Sequence, residues 1–129
     1  MEFKPKGYNS VSPYFIVDKA QRLIDLLEEI FGATQLRRFD LPNGSIMHAE
    51  LKIDDSVIML ADSSPAYPAN KFLIHVYVPD VFKTFAKALE LGCKSIEEPV
   101  SKKDDPDIRG TFEDFAGNLW AIGTQKTEG

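Results

Sequence analysis

The chain has 129 residues, 43% of them hydrophobic and 27% charged, with a net charge of −5 at neutral pH. That length forms one domain able to bury a core without disulfides or a structural metal, and the acidic balance excludes the basic footprint of a nucleic-acid-binding surface. No apolar run approaches a membrane span. With one cysteine and no signal-like apolar stretch in "MEFKPKGYNS", the expectation is a reducing cytoplasm.

In chain order, "VSPYFIV", Val11 to Val17, is β-branched and aromatic and predicts a strand, with Pro13 marking an edge or an irregular start. Asp18 is expected to cap "KAQRLIDLLEEIFG", where Leu23, Leu26, Leu27 and Ile30 form a helical stripe and Gly32 a stop. "TQLRRF" is a short strand. "LPNGS" holds an Asn-Gly turn, and "IMHAELKI" and "SVIMLA" form a hairpin about Asp54-Asp55. The stretch from Asp62 to Asn70, polar and broken by Pro65 and Pro68, reads as a linker.

The order then recurs. "FLIHVYV" is a strand, Pro79-Asp80 opens the helix "VFKTFAKALELG" with Val81, Phe85, Ala88 and Leu89 on one side, and "KSIEEPV" is a short strand. "SKKDDPD" is a charged, mobile loop, "GTFEDFAGNLWAIGT" a hairpin, and "QKTEG" a frayed tail. Cys93, after Gly92 and without a basic cluster to activate it, is read as packing.

The matched order and length of elements mark an internal βαβββ repeat. The expected fold is α+β and a single domain: unit one over about 8–62, a linker at 63–70 and unit two over about 71–125. Two such units predict a curved eight-stranded mixed sheet with both helices on the outer face and a concave cup, the kind of surface where small molecules bind.

"FEDFAGNLWAI" resembles the closing hairpin of the vicinal oxygen chelate superfamily, which includes glyoxalase I, bleomycin-resistance proteins and extradiol dioxygenases. "SPYFIVDKAQRLIDLLEEIFGA", "IMHAELKIDDSVIMLAD" and "IHVYVPDV" resemble more narrowly its PhnB-like branch, and the likeness runs from about Gly7 to Gln125. The resemblance implies metal ligands on the first and last strand of each unit. Here those positions are Ser12, Met59, Leu73 (His75 if the register moves by two) and Ala121. Serine, methionine, leucine and alanine do not make a divalent N/O site, so no metal and no cofactor is expected.

Strand alternation supplies the rest of the candidate site. Met47, Ala49, Leu51 and Ile53 should meet a helix, leaving His48, Glu50 and Lys52 on the cup face with Glu50 opposite Met59. Likewise Ile74, Val76 and Val78 go to the helix, and Leu73, His75 and Tyr77 to the cup. The expected lining is therefore Tyr14, His48, Glu50, Met59, His75 and Tyr77, with Phe112 a further candidate, beside the superfamily positions Ser12, Leu73 and Ala121.

Three readings of the His–Glu pair stay open: a non-standard metal site of His48, Glu50 and His75; hydrogen bonding to each other or to a ligand; and a solvated or dimer-interface face. Trp120 is read as core, Arg37-Arg38 as a solvated face, and Arg109 as a candidate for an acidic ligand. No P-loop, Rossmann glycine pattern or Ser/His/Asp arrangement supports other chemistry. The expected function is metal-free binding of an unknown small molecule. An enzyme drawing acid–base groups from His48, Glu50 and His75, and an interaction protein with a filled cup, are the alternatives. A homodimer is expected, with Phe3, Tyr8 and Tyr14 contributing an apolar rim.

Overall fold

The structure is a computed structural model and describes residues 2–127. The chain divides into two compact units, Met1–Asn70 and Lys71–Gly129. Unit one runs β1 (Tyr14–Val17), α1 (Ala20–Phe31), β2 (Thr34–Asp40), β3 (Ile46–Ile53) and β4 (Ser56–Asp62). Unit two runs β5 (Leu73–Tyr77), α2 (Val81–Glu90), β6 (Lys94–Ser101), β7 (Asp107–Glu113) and β8 (Leu119–Gln125).

The eight expected strands are present, four in each of two mixed sheets. The orders β1-β4-β3-β2 and β5-β8-β7-β6 are the same topology written twice. In each sheet the first strand lies parallel to the last, and the remaining pairs are antiparallel. The repeat read from the order of elements is therefore a repeat of hydrogen-bonding pattern as well. Of the tail, Gln125 completes β8, while Glu128 and Gly129 lie outside the described residues.

Alternation in the strands decides which face each helix covers. In unit one Phe15, Val17, Ala49, Leu51, Ile58 and Leu60 are buried together with Leu23, Ile24 and Leu27 of α1. In unit two Phe112, Trp120 and Ile122 are fully buried, and Val81, Phe85 and Ala88 supply the apolar stripe of α2. Trp120 is core, as expected, and its Nε1 donates to Asp114 at 2.9 Å. Cys93 is buried too, in keeping with a packing role.

Two local readings are corrected. Asp18 does not cap α1. Lys19 takes the cap position in a left-handed conformation, and the Asp62 carboxylate at the end of β4 accepts from Ala20 N at 2.8 Å. Its other oxygen accepts from Ile46 N at 2.7 Å. The Asp18 carboxylate is turned to the Ser63 hydroxyl. In unit two Thr124 holds the helix start, accepting from Val81 N at 2.9 Å and donating to Val78 O at 2.7 Å. Asp80 does cap α2, as the Pro-Asp pair predicts, accepting from Phe82 N and Lys83 N.

The second correction concerns Met47, expected to face the helix with Ala49. The β2–β3 register slips between Phe39/His48 and Asp40/Ile46. That irregularity interrupts the alternation, leaving Met47 half exposed and Ile46 buried.

The 63–70 segment is not a loose tether. Asn70 brackets β1 with its side chain, donating to Tyr14 O and accepting from Ile16 N, both at 2.9 Å. The charged 101–107 loop is also held, because Asp105 accepts from Asp107 N and from Arg109, each at 2.9 Å.

Candidate functional site

Each sheet has one face under its helix, and most of the candidate residues gather on the other. In the first sheet the register sets Tyr14 opposite Met59 and Met59 opposite Glu50, one row across β1, β4 and β3. Met59 is half-buried between the two polar residues. His48, two positions before Glu50, therefore has Tyr14 and Glu50 within reach.

The result is a continuous hydrogen-bonded chain. Tyr14 Oη lies 2.8 Å from His48 Nδ1, and His48 Nε2 lies 2.8 Å from Glu50 Oε2. The other carboxylate oxygen, Oε1, accepts from the Tyr8 hydroxyl and from Arg37 N at 3.3 Å. Glu50 is only 3% exposed, the most deeply placed charge on this face. Burial alone pushes its carboxyl up, but the hydrogen bonds from Tyr8, His48 and Arg37 N outweigh burial and hold it below the ordinary carboxylate range. The counterpart appears on the phenols. The hydrogen bond to Glu50, then burial, raises Tyr8. Burial, then the Glu50 charge, raises Tyr14. Both tyrosines thus stay protonated beside an ionised carboxylate.

Aromatic rings frame the imidazole. The Tyr14 ring is centred 5.5 Å from His48, and the Phe39 ring, more than half exposed, 6.3 Å away at an interplanar angle of 30°. Across the network, the Arg37 guanidinium stands 5.4 Å from the Tyr8 ring centre.

The second sheet carries a separate cluster. His75 Nε2 lies 3.0 Å from Arg109 Nη1, and Arg109 also pairs with Asp105 at 2.9 Å and Asp107 at 2.8 Å. Tyr77 donates to Asp107 at 2.7 Å and meets the His75 ring edge-on, with centroids 4.7 Å apart. Desolvation against the sheet, then the Arg109 cation, holds His75 below its ordinary range, with Asp107 opposing. His75 remains exposed, so the adjacent guanidinium is the firmer cause. A neutral His75 accepting from Arg109 is the consistent state.

Of the residues expected at the site, Tyr14, His48, Glu50 and Met59 come together in unit one, and His75 and Tyr77 in unit two. Leu73 is exposed on the helix-free face of the second sheet, and Ala121 is paired across from His75. Ser12 lies just before β1 and accepts from Asn9 Nδ2 at 3.3 Å. Phe112 is a correction. It pairs with Trp120 on the helix side and is fully buried, because β7 alternates so that Asp107 and Arg109, not Phe112, take the open face. Arg109 is engaged by two carboxylates of its own chain, which leaves it poorly placed for an acidic ligand.

Three contributors went unread in the sequence: Tyr8, Phe39 and Asp107. Tyr8 sits in a segment without strand or helix periodicity, so nothing local aims its hydroxyl at Glu50. Phe39 was legible only as one apolar residue in a short strand.

The positions at which the resemblance implies a metal do not fit one. A thioether at Met59 and hydrocarbon side chains at Leu73 and Ala121 offer no hard donor. Among the described residues no group of three His, Cys, Asp or Glu side chains is placed to hold a metal ion.

The repeated βαβββ topology with a polar helix-free face defines the class. Residues 9–122 match the Glyoxalase/Bleomycin resistance protein/Dioxygenase superfamily, and the chain belongs to it. It is 30% identical over 125 residues to the uncharacterized protein Mb0911c of Mycobacterium bovis, covering 88% of this chain and 82% of that protein. Among solved structures, protein PA1353 from Pseudomonas aeruginosa superposes with a TM-score of 0.74 at 22% identity, covering 92% of this chain and 99% of that one. TnmS3, an antibiotic binding protein from Streptomyces sp. CB03234, does so with a TM-score of 0.68 at 18% identity, covering 92% and 100%. At such identities the structures share the fold.

Proposed function

We propose that this protein binds a small organic molecule, without a metal, on the helix-free face of its first sheet. The observation that carries this reading is the His48 imidazole framed by the Tyr14 and Phe39 rings, with the buried Glu50 carboxylate behind it. Rings give a planar ligand apolar area, and a few fixed polar groups set its orientation. That a protein of the same fold is described as antibiotic binding makes a natural product of that kind a reasonable ligand class.

Within the superfamily we place the chain in the PhnB-like branch, on the wording of residues 12–33, 46–62 and 74–81. Its single cysteine suits a reducing cytoplasm, and no helix among the described residues is long and apolar enough to cross a membrane.

Native mass spectrometry of the purified protein, paired with elemental analysis, is the direct test. The expected result is protein without stoichiometric zinc, iron, nickel or manganese that still takes up an aromatic ligand, with uptake weakened in Phe39→Ala. A full equivalent of metal, released by replacing a residue of this face, would overturn the metal-free reading.

A second reading, an acid–base enzyme, is favoured by the unbroken hydrogen bonds from Tyr14 through His48 to Glu50. Loss of turnover with retained binding in His48→Ala would select it.

A further inference from the structure

With the His48 imidazole neutral, the direction of every hydrogen bond in the Tyr14–His48–Glu50 chain follows from its innermost member. Glu50 is buried, and both of its oxygens are taken: Oε1 by the Tyr8 hydroxyl and a main-chain N–H, Oε2 by His48. The main-chain N–H of Arg37 can only donate. An ionised carboxylate accepts at all three contacts, so the proton between Glu50 and His48 sits on Nε2. A neutral imidazole with its proton on Nε2 has a bare lone pair on Nδ1. Nδ1 is 2.8 Å from Tyr14 Oη, so the phenol donates inward to the ring. Its proton is committed, and what Tyr14 has left for a ligand is the lone pair on Oη.

We propose that Tyr14 Oη is the terminal acceptor of a proton relay, so that this face takes a ligand through an O–H or N–H group and draws that proton toward His48. The proposal rests on the reading of this face as a ligand site and adds which chemical group docks and which way its proton moves.

The step balances with no co-reactant. A weakly acidic ligand, X–H, gives its proton to Tyr14 Oη while Tyr14 passes its own to His48 Nδ1. The X–H bond and the tyrosine O–H bond break, and a new tyrosine O–H and the Nδ1–H form. The products are X⁻, neutral Tyr14 and an imidazolium whose Nε2–H faces the Glu50 carboxylate. Glu50 keeps its charge throughout, as a partner that fixes the ring and stabilises the cation rather than as an acceptor of the proton. Tyr8 and Arg37 N hold the carboxylate from its other side, so Glu50 is fixed before any ligand arrives.

The geometry also argues against the opposite selection. A ligand offering only a carbonyl or ether oxygen would set a lone pair against the lone pair of Tyr14 Oη. It would pair only if the phenol let go of Nδ1, which would leave the ring nitrogen without its donor. Donor-bearing ligands are therefore favoured over isosteric acceptors.

Two measurements test this. The first needs no ligand: nitrogen-15 NMR of the imidazole in the intact protein. The expected result is an N–H on Nε2 and a bare, hydrogen-bonded Nδ1, whose resonance alone moves in Tyr14→Phe. A proton resident on Nδ1 in the wild type would overturn the relay. The second uses 4-nitrophenol, an aromatic O–H donor that turns yellow on ionising, in a buffer acidic enough to keep the free probe largely neutral. Bound probe is expected to carry several-fold more phenolate than free probe. Tyr14→Phe, which keeps the ring but removes the docking acceptor, should weaken binding several-fold by equilibrium dialysis, and the probe that still binds should show the phenolate fraction of free probe. Undiminished binding in this variant with the raised phenolate fraction intact overturns the relay. Binding without a change in ionisation overturns the relay alone. No binding at all counts against the ligand site itself and the relay with it.

Discussion

Glu50 is the residue on which the first unit's open face depends, and its surroundings set how it responds to change. Removing the carboxylate in Glu50→Ala leaves the Tyr8 hydroxyl, the His48 N–H and the Arg37 N–H without their acceptor in a half-buried place. The expected cost is about 1–3 kcal/mol, the range for an unsatisfied buried polar group, read as a lower midpoint in urea. The acid response follows from the same contacts. A carboxyl whose folded pKa lies below its unfolded value contributes stability that is complete above the unfolded value. That contribution is lost as pH falls through the folded one. Unfolding followed from neutral to strongly acidic pH should show this loss in the wild type, and Glu50→Gln should show a shallower one. Equal slopes would mean that the carboxylate is not held in its charged form by the fold.

The elements were legible to the extent that their signals were local. Gly32 ends α1, and Asp80 caps α2 with two accepted bonds. Asp80→Ala is therefore expected to destabilise by about 1 kcal/mol, checked by thermal unfolding. An unchanged midpoint would show that α2 is fixed by packing and the Thr124 hydroxyl alone. The hairpin faces were legible from His48 onward, because alternation is a period of two and an error of one residue would have exposed Leu51, whereas Met47 lies at the register slip that alternation does not show. What the sequence could not show lies at longer range. Asp62 is 42 residues from the helix it caps, and Asp18, next to the helix, was the nearer candidate. Phe112 was misplaced because its strand starts at Asp107, inside what reads as a charged loop. Without that start the phase of alternation is undefined. The Tyr8 contact to Glu50 likewise spans 42 residues and has no periodic signal.

At the scale of the whole molecule, each sheet has two strands with a ladder neighbour on one side only among the described residues: β1 and β2 in one unit, β5 and β6 in the other. Phe39 on β2 and Ile96 and Val100 on β6 leave apolar side chains exposed there. Such edges need cover, and a second copy of the chain across a two-fold axis is the cover we propose. An apolar rim of Phe3, Tyr8 and Tyr14 is the expectation from the sequence for such an interface. Tyr8 and Tyr14 are turned inward to Glu50 and His48, leaving Phe3 exposed. Sedimentation of the purified protein at micromolar concentration should give a dimer, and substitution of Ile96 and Val100 by lysine should shift it toward monomer. Monomer mass at every concentration would remove this proposal while leaving the first unit's network untouched.

The two helix pins place unequal demands on evolution. At the end of β8 a hydroxyl suffices, because Thr124 accepts one N–H and donates to one carbonyl, and serine can do the same. At the end of β4 both oxygens of Asp62 are occupied, by Ala20 N and by Ile46 N. Asparagine would answer one of them and turn an amide N–H toward the other. Glutamate would carry the right atoms on a stem one carbon too long. One codon thus serves the first turn of α1 and the start of β3 at once. In a library sampling every amino acid along the chain, position 62 should come out nearly invariant and position 124 permissive, although the two occupy equivalent places in a duplicated fold.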